Sequence, residues 1–540
     1  MDWIQAAPAA VLLFLAIAVY TAPTLWKLGV SDSMYHMEHM TLLPSQETWI
    51  RQQSGDADAW LDPSMRGVPR IRKPPMVIWL HMLAWSGLDA DTVDPAVTTY
   101  RARLVAWGLG LMGILSTAWI GRMIYSHWVG ARAALILAAT YSVLKQSRMA
   151  TFDTHLLGWV TLALALSLAF ARRRVTGAHI AWLVMGSIAS AAAFLTKGAV
   201  AVVYLIPFLV LIAVFTSNER IRTVNLFLPV FIGAGVYGLW LWDVLATVPG
   251  ASDILSDEST QGRLNPQPVY YYVILLGLIF PWTLPFLGVC SRIRSWNWPA
   301  TVPWLSLAAG ILILTIPDNR RQRYLIPLMP MFALGLSHLW SLRSGKWMLT
   351  WNRLHVLLLI LLSSALAVLI PFQATLVETG VLKEMEFPGA DLQTSILLGI
   401  LLIPLCGGMI WSAFLRRTCA LIPLTACWIA IVYTLGMHYY VHSYHGVYEH
   451  RAVSEQVHED TKGNPGQLFY MVRRGFGIPA PDERFLYHSG RFFHPVPTNT
   501  KMESGAFVLI PAQQENVFPT NWSVVNRYQA RRAYTLLQVP

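Results

Sequence analysis

Uncharged apolar runs of about twenty residues recur along most of this chain, and few folds can accommodate them. Between Trp3 and Trp26 there is no charged residue, and similar runs continue as far as Met437. A helix needs roughly 20 mostly apolar residues to cross the hydrocarbon core of a bilayer. The chain therefore reads as a polytopic α-helical membrane protein with about 13 transmembrane helices. Crossings are expected at residues 5–26, 101–121, 129–147, 154–171, 179–196, 199–217, 224–245, 271–290, 300–317, 324–341, 354–375, 392–414 and 418–438.

Charge then assigns the two faces. With a cytoplasmic amino terminus, the even-numbered loops hold Arg122 and Arg132, then Arg172, Arg173 and Arg174, then Arg220 and Arg222. They continue with Arg292 and Arg294, with Arg343, Lys346 and Arg353, and with Arg416 and Arg417, offset only by Glu219. Short loops rich in Lys and Arg stay in the cytoplasm, so the alternation fixes orientation and sends the carboxyl-terminal end outside. The third crossing is the weakest, because Arg132 and Lys145 would have to snorkel to opposite surfaces. The net charge of +11 across 540 residues could indicate a polyanionic partner. Most of the excess lies in these loops, so topology accounts for it and nucleic acid is not expected. The four cysteines, Cys290, Cys406, Cys419 and Cys427, lie in or beside apolar runs, with no metal-knuckle spacing and no disulfide framework. The first run is too long for a signal-peptide core and lacks a basic leader, so it is expected to be retained as a helix.

The chain divides into a membrane region, 1–438, with a long external first loop at 30–100, and a small soluble extracytoplasmic region, 439–540. Loops of that length are usually functional. Within it, residues 76–88 follow Lys73-Pro74-Pro75, are too short to span, and are expected to lie in the interface plane. In the soluble region, 467–472, 505–510 and 522–527 read as strands and 452–459 as a helix, giving a small α/β unit. No internal repeat is evident, which argues against transporters built from inverted halves.

The odd-numbered loops bring a mixed set of ionisable residues to the outer face. They are Asp32, Tyr35, His36, Glu38 and His39, then Lys73, then Lys145, Arg148 and Asp153, then Lys197, then Asp253, Asp257, Glu258 and Arg263, and finally Arg320, Arg321 and Arg323 beside Tyr324. Ionisable groups at a membrane boundary are costly unless paired or functional. A basic cluster with a few acids suits an anionic headgroup and a general base. Asp32 reads as a general base or as a solvated loop acid. Lys73 is rigidly placed before two prolines and suits a phosphate, or else ends a basic stretch with Arg70 and Arg72. Asp153 opens a helix, where an acid is favourable for local reasons alone. Lys197 reads as a phosphate ligand or as a tight outer turn. The arginines at 320, 321 and 323 run against the positive-inside trend and match phosphate oxygens, or bind anionic lipid headgroups nonspecifically. His36, Glu38 and His39 lack an evident third ligand; no metal site is assigned, and a divalent cation is left open.

The ordered set resembles the membrane-embedded C-type glycosyltransferases, of the lipid A aminoarabinose transferase and protein O-mannosyltransferase type. The carriers are Ser31-Asp32-Ser33-Met34-Tyr35, Arg72-Lys73-Pro74-Pro75 with its aromatic helix, Phe152-Asp153, Leu195-Thr196-Lys197-Gly198, Tyr270-Tyr271-Tyr272 followed by Phe280-Pro281-Trp282, and the basic segment from Arg320 to Pro327. The resemblance covers roughly residues 5–340. Two departures stand out: the family's paired acids are reduced to Asp32, which aligns with the second of them, and the loop at 40–70 is longer and carries Asp56, Asp58 and Asp62. The resemblance implies transfer of a sugar, with inversion, from a polyprenyl-phosphate donor to a hydroxyl or phosphate of a lipid, glycan or protein of the cell envelope, outside a bacterial inner membrane. It implies Lys73, Lys197, Arg263, Arg320, Arg321, Arg323, Tyr35 and Tyr324 as donor or substrate ligands, and Asp32 or Asp153 as the acid that orients or deprotonates the acceptor. A transporter of lipid-linked glycan is the rival; it would place charge deep within helices.

Overall fold

The computed structural model describes residues 2–29, 36–90, 92–172, 179–215, 223–255, 267–290, 298–317, 320–340, 346–378, 392–415, 418–444, 450–462, 468–472, 483–497, 502–513, 521–529 and 533–540. The first helix, α1 (Asp2–Leu25), is followed by the long first loop with α2 (His36–Gln53), a two-stranded hairpin of β1 (Ser64–Met65) and β2 (Val68–Pro69), and α3 (Met76–Ala84). Then come α4 (Pro95–Ile124), α5 (His127–Ala138), α6 (Tyr141–Ser147), α7 (Phe152–Ala171), α8 (His179–Lys197), α9 (Ala201–Phe215) and α10 (Thr223–Thr247). Beyond these lie α11 (Leu275–Leu278), α12 (Thr283–Cys290), α13 (Trp298–Thr315), α14 (Met329–Trp340), α15 (Lys346–Glu378), α16 (Leu392–Phe414) and α17 (Thr418–Tyr444). The chain is thus a mostly helical, multi-pass membrane protein.

Helix occupies part of every predicted crossing, but the crossings are not thirteen equivalent rods. By length and composition, eight helical stretches among the described residues could span a membrane, or nine if one bent pair counts as a span. One of the eight, His179–Phe215, is 37 residues long and joins α8 to α9 through the turn at Gly198. The expected crossing at 129–147 is broken between α5 and α6 at Thr140, whose extended backbone ends the first helix. The amide of Tyr141 turns aside to donate to the carbonyl of Phe280 at 2.8 Å. Lys145 therefore does not snorkel across a span; it lies on the short α6. The expected crossing at 271–290 is likewise two pieces, bent by 116° around Phe280-Pro281-Trp282. Proline offers no amide to continue a helical ladder. The indole of Trp282 is buried and donates to the carbonyl of Ile136 at 3.0 Å, pinning the bend to the end of α5.

Helices pack by close approach where side chains are small. A Cβ on Gly121 of α4 would fall 2.6 Å from the Cα of Gly130 of α5, so this antiparallel pair requires glycine on both sides. Large apolar residues of α10, α13 and α16, such as Phe231, Trp242, Leu312 and Ile403, stay exposed, as a lipid-facing surface requires.

The carboxyl-terminal region contains α18 (His450–Thr461), α19 (Glu483–His488) and a sheet of β3 (Leu468–Val472), β4 (His494–Pro497), β5 (Phe507–Pro511), β6 (Ser523–Tyr528) and β7 (Tyr534–Gln538). Strand order is β4-β3-β5-β7-β6, parallel across the first three strands and antiparallel across the last three. The three expected strands and the helix at 452–459 are present; β4, β7 and α19 were not anticipated. One apolar core joins this region to the long first loop: Leu42, Trp49, Ile78 and Trp85 pack with Phe485, Phe507 and Leu536. The hydroxyl of Tyr487 lies 2.8 Å from that of Thr98 and 2.9 Å from that of Thr99, at the amino-terminal end of α4. The face of α3 bearing Ile78 and Met82 is thus buried by protein, while Leu83 is exposed.

Candidate active site

Asp153 is the centre of the charged cluster. It lies in the first turn of α7 and is buried, where an isolated carboxylate would be costly. Two cations compensate it. The ammonium of Lys197, at the last turn of α8, donates to its Oδ1, and Arg323 approaches its Oδ2 at 3.4 Å. Lys197 also lies 4.3 Å above the ring of Tyr324, and the Arg323 guanidinium lies 5.4 Å from the same ring, so the aromatic face stabilises both cations. The hydroxyl of Tyr204 on α9 donates to the Tyr324 carbonyl at 2.9 Å and fixes that turn.

Two motifs more than a hundred residues apart meet behind this cluster. Gly198 has φ +66°, a conformation that favours glycine, and a Cβ there would fall 3.1 Å from Tyr237 Oη and 3.9 Å from Pro74. The Lys73-Pro74-Pro75 turn is therefore seated against the Thr196-Lys197-Gly198 turn, and the charge of Lys73 acts on that of Lys197. Arg70 lies over the ring of Phe152, 5.5 Å from its centroid.

Beside the cluster is a cavity of about 400 Å³. Its cationic wall is Lys145 from α6 with Arg321 and Arg323 from the 3-10 turn before α14; its apolar wall includes Ile274, Leu278 and Ile326. Tyr141 and Tyr271 also line it, as does Met37, the second residue of α2. Both broken helices contribute: the break at Thr140 supplies Lys145, and the bend at Pro281 opens the apolar side. Such a chamber fits a phosphate attached to a hydrocarbon chain, because it offers charge-assisted donors and a dry surface together.

Other residues of the expected set are assigned elsewhere. Arg320 is buried and donates to the carbonyls of Thr315 and Gln267, so it caps the end of α13. Arg148 donates to the carbonyls of Pro23, Thr24 and Trp26 at 2.7, 2.9 and 2.7 Å, closing the carboxyl end of α1. Both oxygens of Glu38 accept from Arg103 of α4, at 2.8 and 2.9 Å, and Oε1 also accepts from the Ala150 amide at 3.0 Å. Glu38 is therefore a structural brace, and His39 packs its ring edgewise on Tyr487 and His488. No group of three His, Cys, Asp or Glu side chains is placed to hold a metal ion among the described residues. Asp32, Tyr35, Asp257, Glu258 and Arg263 lie outside the described residues. Sequence reasoning missed the Glu38 brace, although an arginine at position 103 of an apolar run was a signal that a buried acid must answer it.

Fold and chamber together define a multi-pass membrane protein whose broken helices border a chamber with a cationic wall and an apolar wall. Residues 85–246 match the family described as dolichyl-phosphate-mannose-protein mannosyltransferase. The chain is similar in structure to ArnT from Cupriavidus metallidurans in the apo state, with a TM-score of 0.70 and 16% identity over 99% of this chain and 98% of that one. The same protein bound to undecaprenyl phosphate gives 0.71 and 17%, over 98% and 97% of the two chains. An oligosaccharyltransferase from Archaeoglobus fulgidus gives 0.50 and 11%, over 95% of this chain and 71% of that one. A sequence search of curated proteins finds no match.

Proposed function

We propose that this protein transfers a sugar from a polyprenyl-phosphate donor to a hydroxyl or phosphate of a lipid, glycan or protein acceptor, at the extracytoplasmic face of a bacterial inner membrane. The carrying observation is the chamber with Lys145, Arg321 and Arg323 on one wall and Ile274, Leu278 and Ile326 on the other. The ArnT relative that binds undecaprenyl phosphate has the same fold.

In the reaction, the acceptor oxygen forms a bond to the anomeric carbon from the face opposite the donor phosphate. The bond from that carbon to the phosphate oxygen breaks, and the configuration inverts. Lys145, Arg321 and Arg323 neutralise the charge gathering on the leaving phosphate, which is where electrostatic preorganisation contributes most. Asp153, with each oxygen facing a cation, orients Arg323 and Lys197. Lys197 and Lys73 support the same field from behind. Asp32 is the proposed base that accepts the acceptor's proton; it precedes Met37, which lines the chamber. By family resemblance Arg263 and Tyr35 are further donor ligands, while Arg320 acts through the backbone it holds.

The test is transfer of label from polyprenyl-phosphate sugars to the acceptors of an added cell-envelope extract, in vesicles carrying the purified protein. Transfer by the natural chain, lost in Asp32→Asn and reduced at least tenfold in Arg321→Met with melting unchanged, supports the reading. Movement of the labelled lipid across the vesicle without any transfer would overturn it in favour of transport.

A further inference from the structure

A second cavity, of about 430 Å³, lies between the external loop and the soluble region and shares no lining residue with the chamber above. We infer that it is a carbohydrate-binding subsite, formed where the hairpin of the long loop meets strand β4, and that it holds a sugar of the acceptor.

Its walls come from both sides of the joint. The loop supplies Arg51, Ser54, Asp56, Asp62 and Ser64; the soluble region supplies Phe492 and His494. The joint is firmly built. A Cβ on Gly67, at the hairpin tip, would fall 2.3 Å from Pro495 Cδ, so the tip abuts the edge strand directly. Tyr470 Oη of β3 donates to the carbonyl of Arg66 at 2.9 Å. Beneath, the buried carboxylate of Glu47 accepts from the amides of Arg66 and Gly67 at 2.7 and 3.1 Å, and from the Ser64 hydroxyl at 3.1 Å.

Chemistry narrows the ligand. Arg51 bridges the two acids: its Nη2 lies 2.6 Å from Asp56 Oδ2 and 3.1 Å from Asp62 Oδ1, and its Nε donates to Asp56 at 2.8 Å. A guanidinium already between two carboxylates displaces a divalent cation, and two carboxylates repel a phosphate. The remaining capacity is that of a neutral or amino sugar. Asp62 Oδ2 accepts from no described residue and can accept from a sugar hydroxyl, and the Ser54 hydroxyl, which donates to the Ile50 carbonyl at 2.9 Å, can accept from another. Phe492 and His494, 4.5 Å apart and edge to face, give the apolar platform against which a pyranose ring packs. The acceptor role rests on the transferase reading; the binding of a sugar does not.

The experiment is saturation-transfer NMR on the full-length protein in nanodiscs, with the methyl glycosides of D-glucose, D-mannose, D-glucosamine and N-acetyl-D-glucosamine as probes. At least one glycoside is expected to take up saturation, with the signal falling at least fivefold in Phe492→Ala, in Asp62→Asn and in Ser54→Trp, which fills the cavity from its exposed rim. Lys145→Met, in the other chamber, is expected to leave the signal unchanged. No saturation of any glycoside by the natural protein would overturn the inference, as would equal signals in all three rim variants with their melting intact. Because the readout needs no donor and no turnover, a protein that binds a glycoside but transfers nothing would refute the transferase reading alone.

Discussion

Replacing Asp153 and Lys197 singly and together tests whether the acid is an organiser of charge. Asp153→Asn leaves the buried Lys197 ammonium facing Arg323 and Lys73 with no counterion. Uncompensated buried charge of this kind costs about 3–5 kcal/mol. Lys197→Met is milder, because Asp153 keeps Arg323; losing one hydrogen bond to a charged group costs about 2 kcal/mol. Arg323 has 24% of its side chain exposed, so solvent screening weakens that remaining pair. The double variant removes both the stranded cation and its partner, so its loss is expected near that of Lys197→Met alone, giving a coupling of about 3–5 kcal/mol. The assay is the apparent melting temperature of purified protein in a single detergent, compared by rank because a chain of this complexity does not unfold in two states. Asp153→Asn is expected to melt lowest, with the double variant above it. Additive losses would refute the coupling. Label transfer by the double variant adds a second check: an organiser predicts residual transfer, whereas a general base predicts none even when the fold is recovered.

Further outcomes follow from other contacts. Glu38→Gln or Arg103→Met breaks a buried bidentate pair and is expected to cost about 3–5 kcal/mol, read as a large fall in melting temperature; a shift of a degree or less would refute the brace. Burial pushes the Glu47 carboxyl up to about 7 against its three donors. Its folded value lies above the unfolded one, so the associated stability is complete below about 4.5 and is lost as pH rises through about 7. Thermal melts between those limits should fall by the equivalent of about 3 kcal/mol, and Glu47→Gln should flatten that slope. Gly198→Ala strains a left-handed turn and crowds Tyr237, so it is expected to cost at least about 1 kcal/mol and to weaken donor use; unchanged melting and transfer would show that the turn tolerates a side chain.

The membrane class and the outer cluster were legible because both follow from one-dimensional signals, apolar length and alternating charge. Asp153, Lys73, Lys197 and Arg323 were gathered from four segments, and the structure brings them together. What the sequence could not supply was their pairing. Asp153 reads locally as a helix-opening acid, and only the packing of α7 on α8 puts Lys197 beside it. Arg148 and Arg320 looked outward-facing, yet each closes a helix end whose carbonyls need donors, a role with no sequence signature of its own. The breaks at Thr140 and Pro281 were hidden because apolarity continues through them. His36, Glu38 and His39 were grouped by helical spacing, while the partner of Glu38, Arg103, is 65 residues further along. In the soluble region β4 is short and carries two prolines, so alternation could not reveal it.

The shared core between the long first loop and the carboxyl-terminal region also sets an order of events during synthesis. Tyr487 meets Thr98 across 389 residues of chain, so the loop is made long before the residues that cover it. At a synthesis rate of about 5–20 residues per second, that interval is roughly 20–80 s, during which Leu42, Ile78 and Trp85 have no partner from the carboxyl-terminal side. A chain released early would carry every membrane-spanning helix and nearly every charged residue of the cluster, yet lack the apolar cover that packs on its loop.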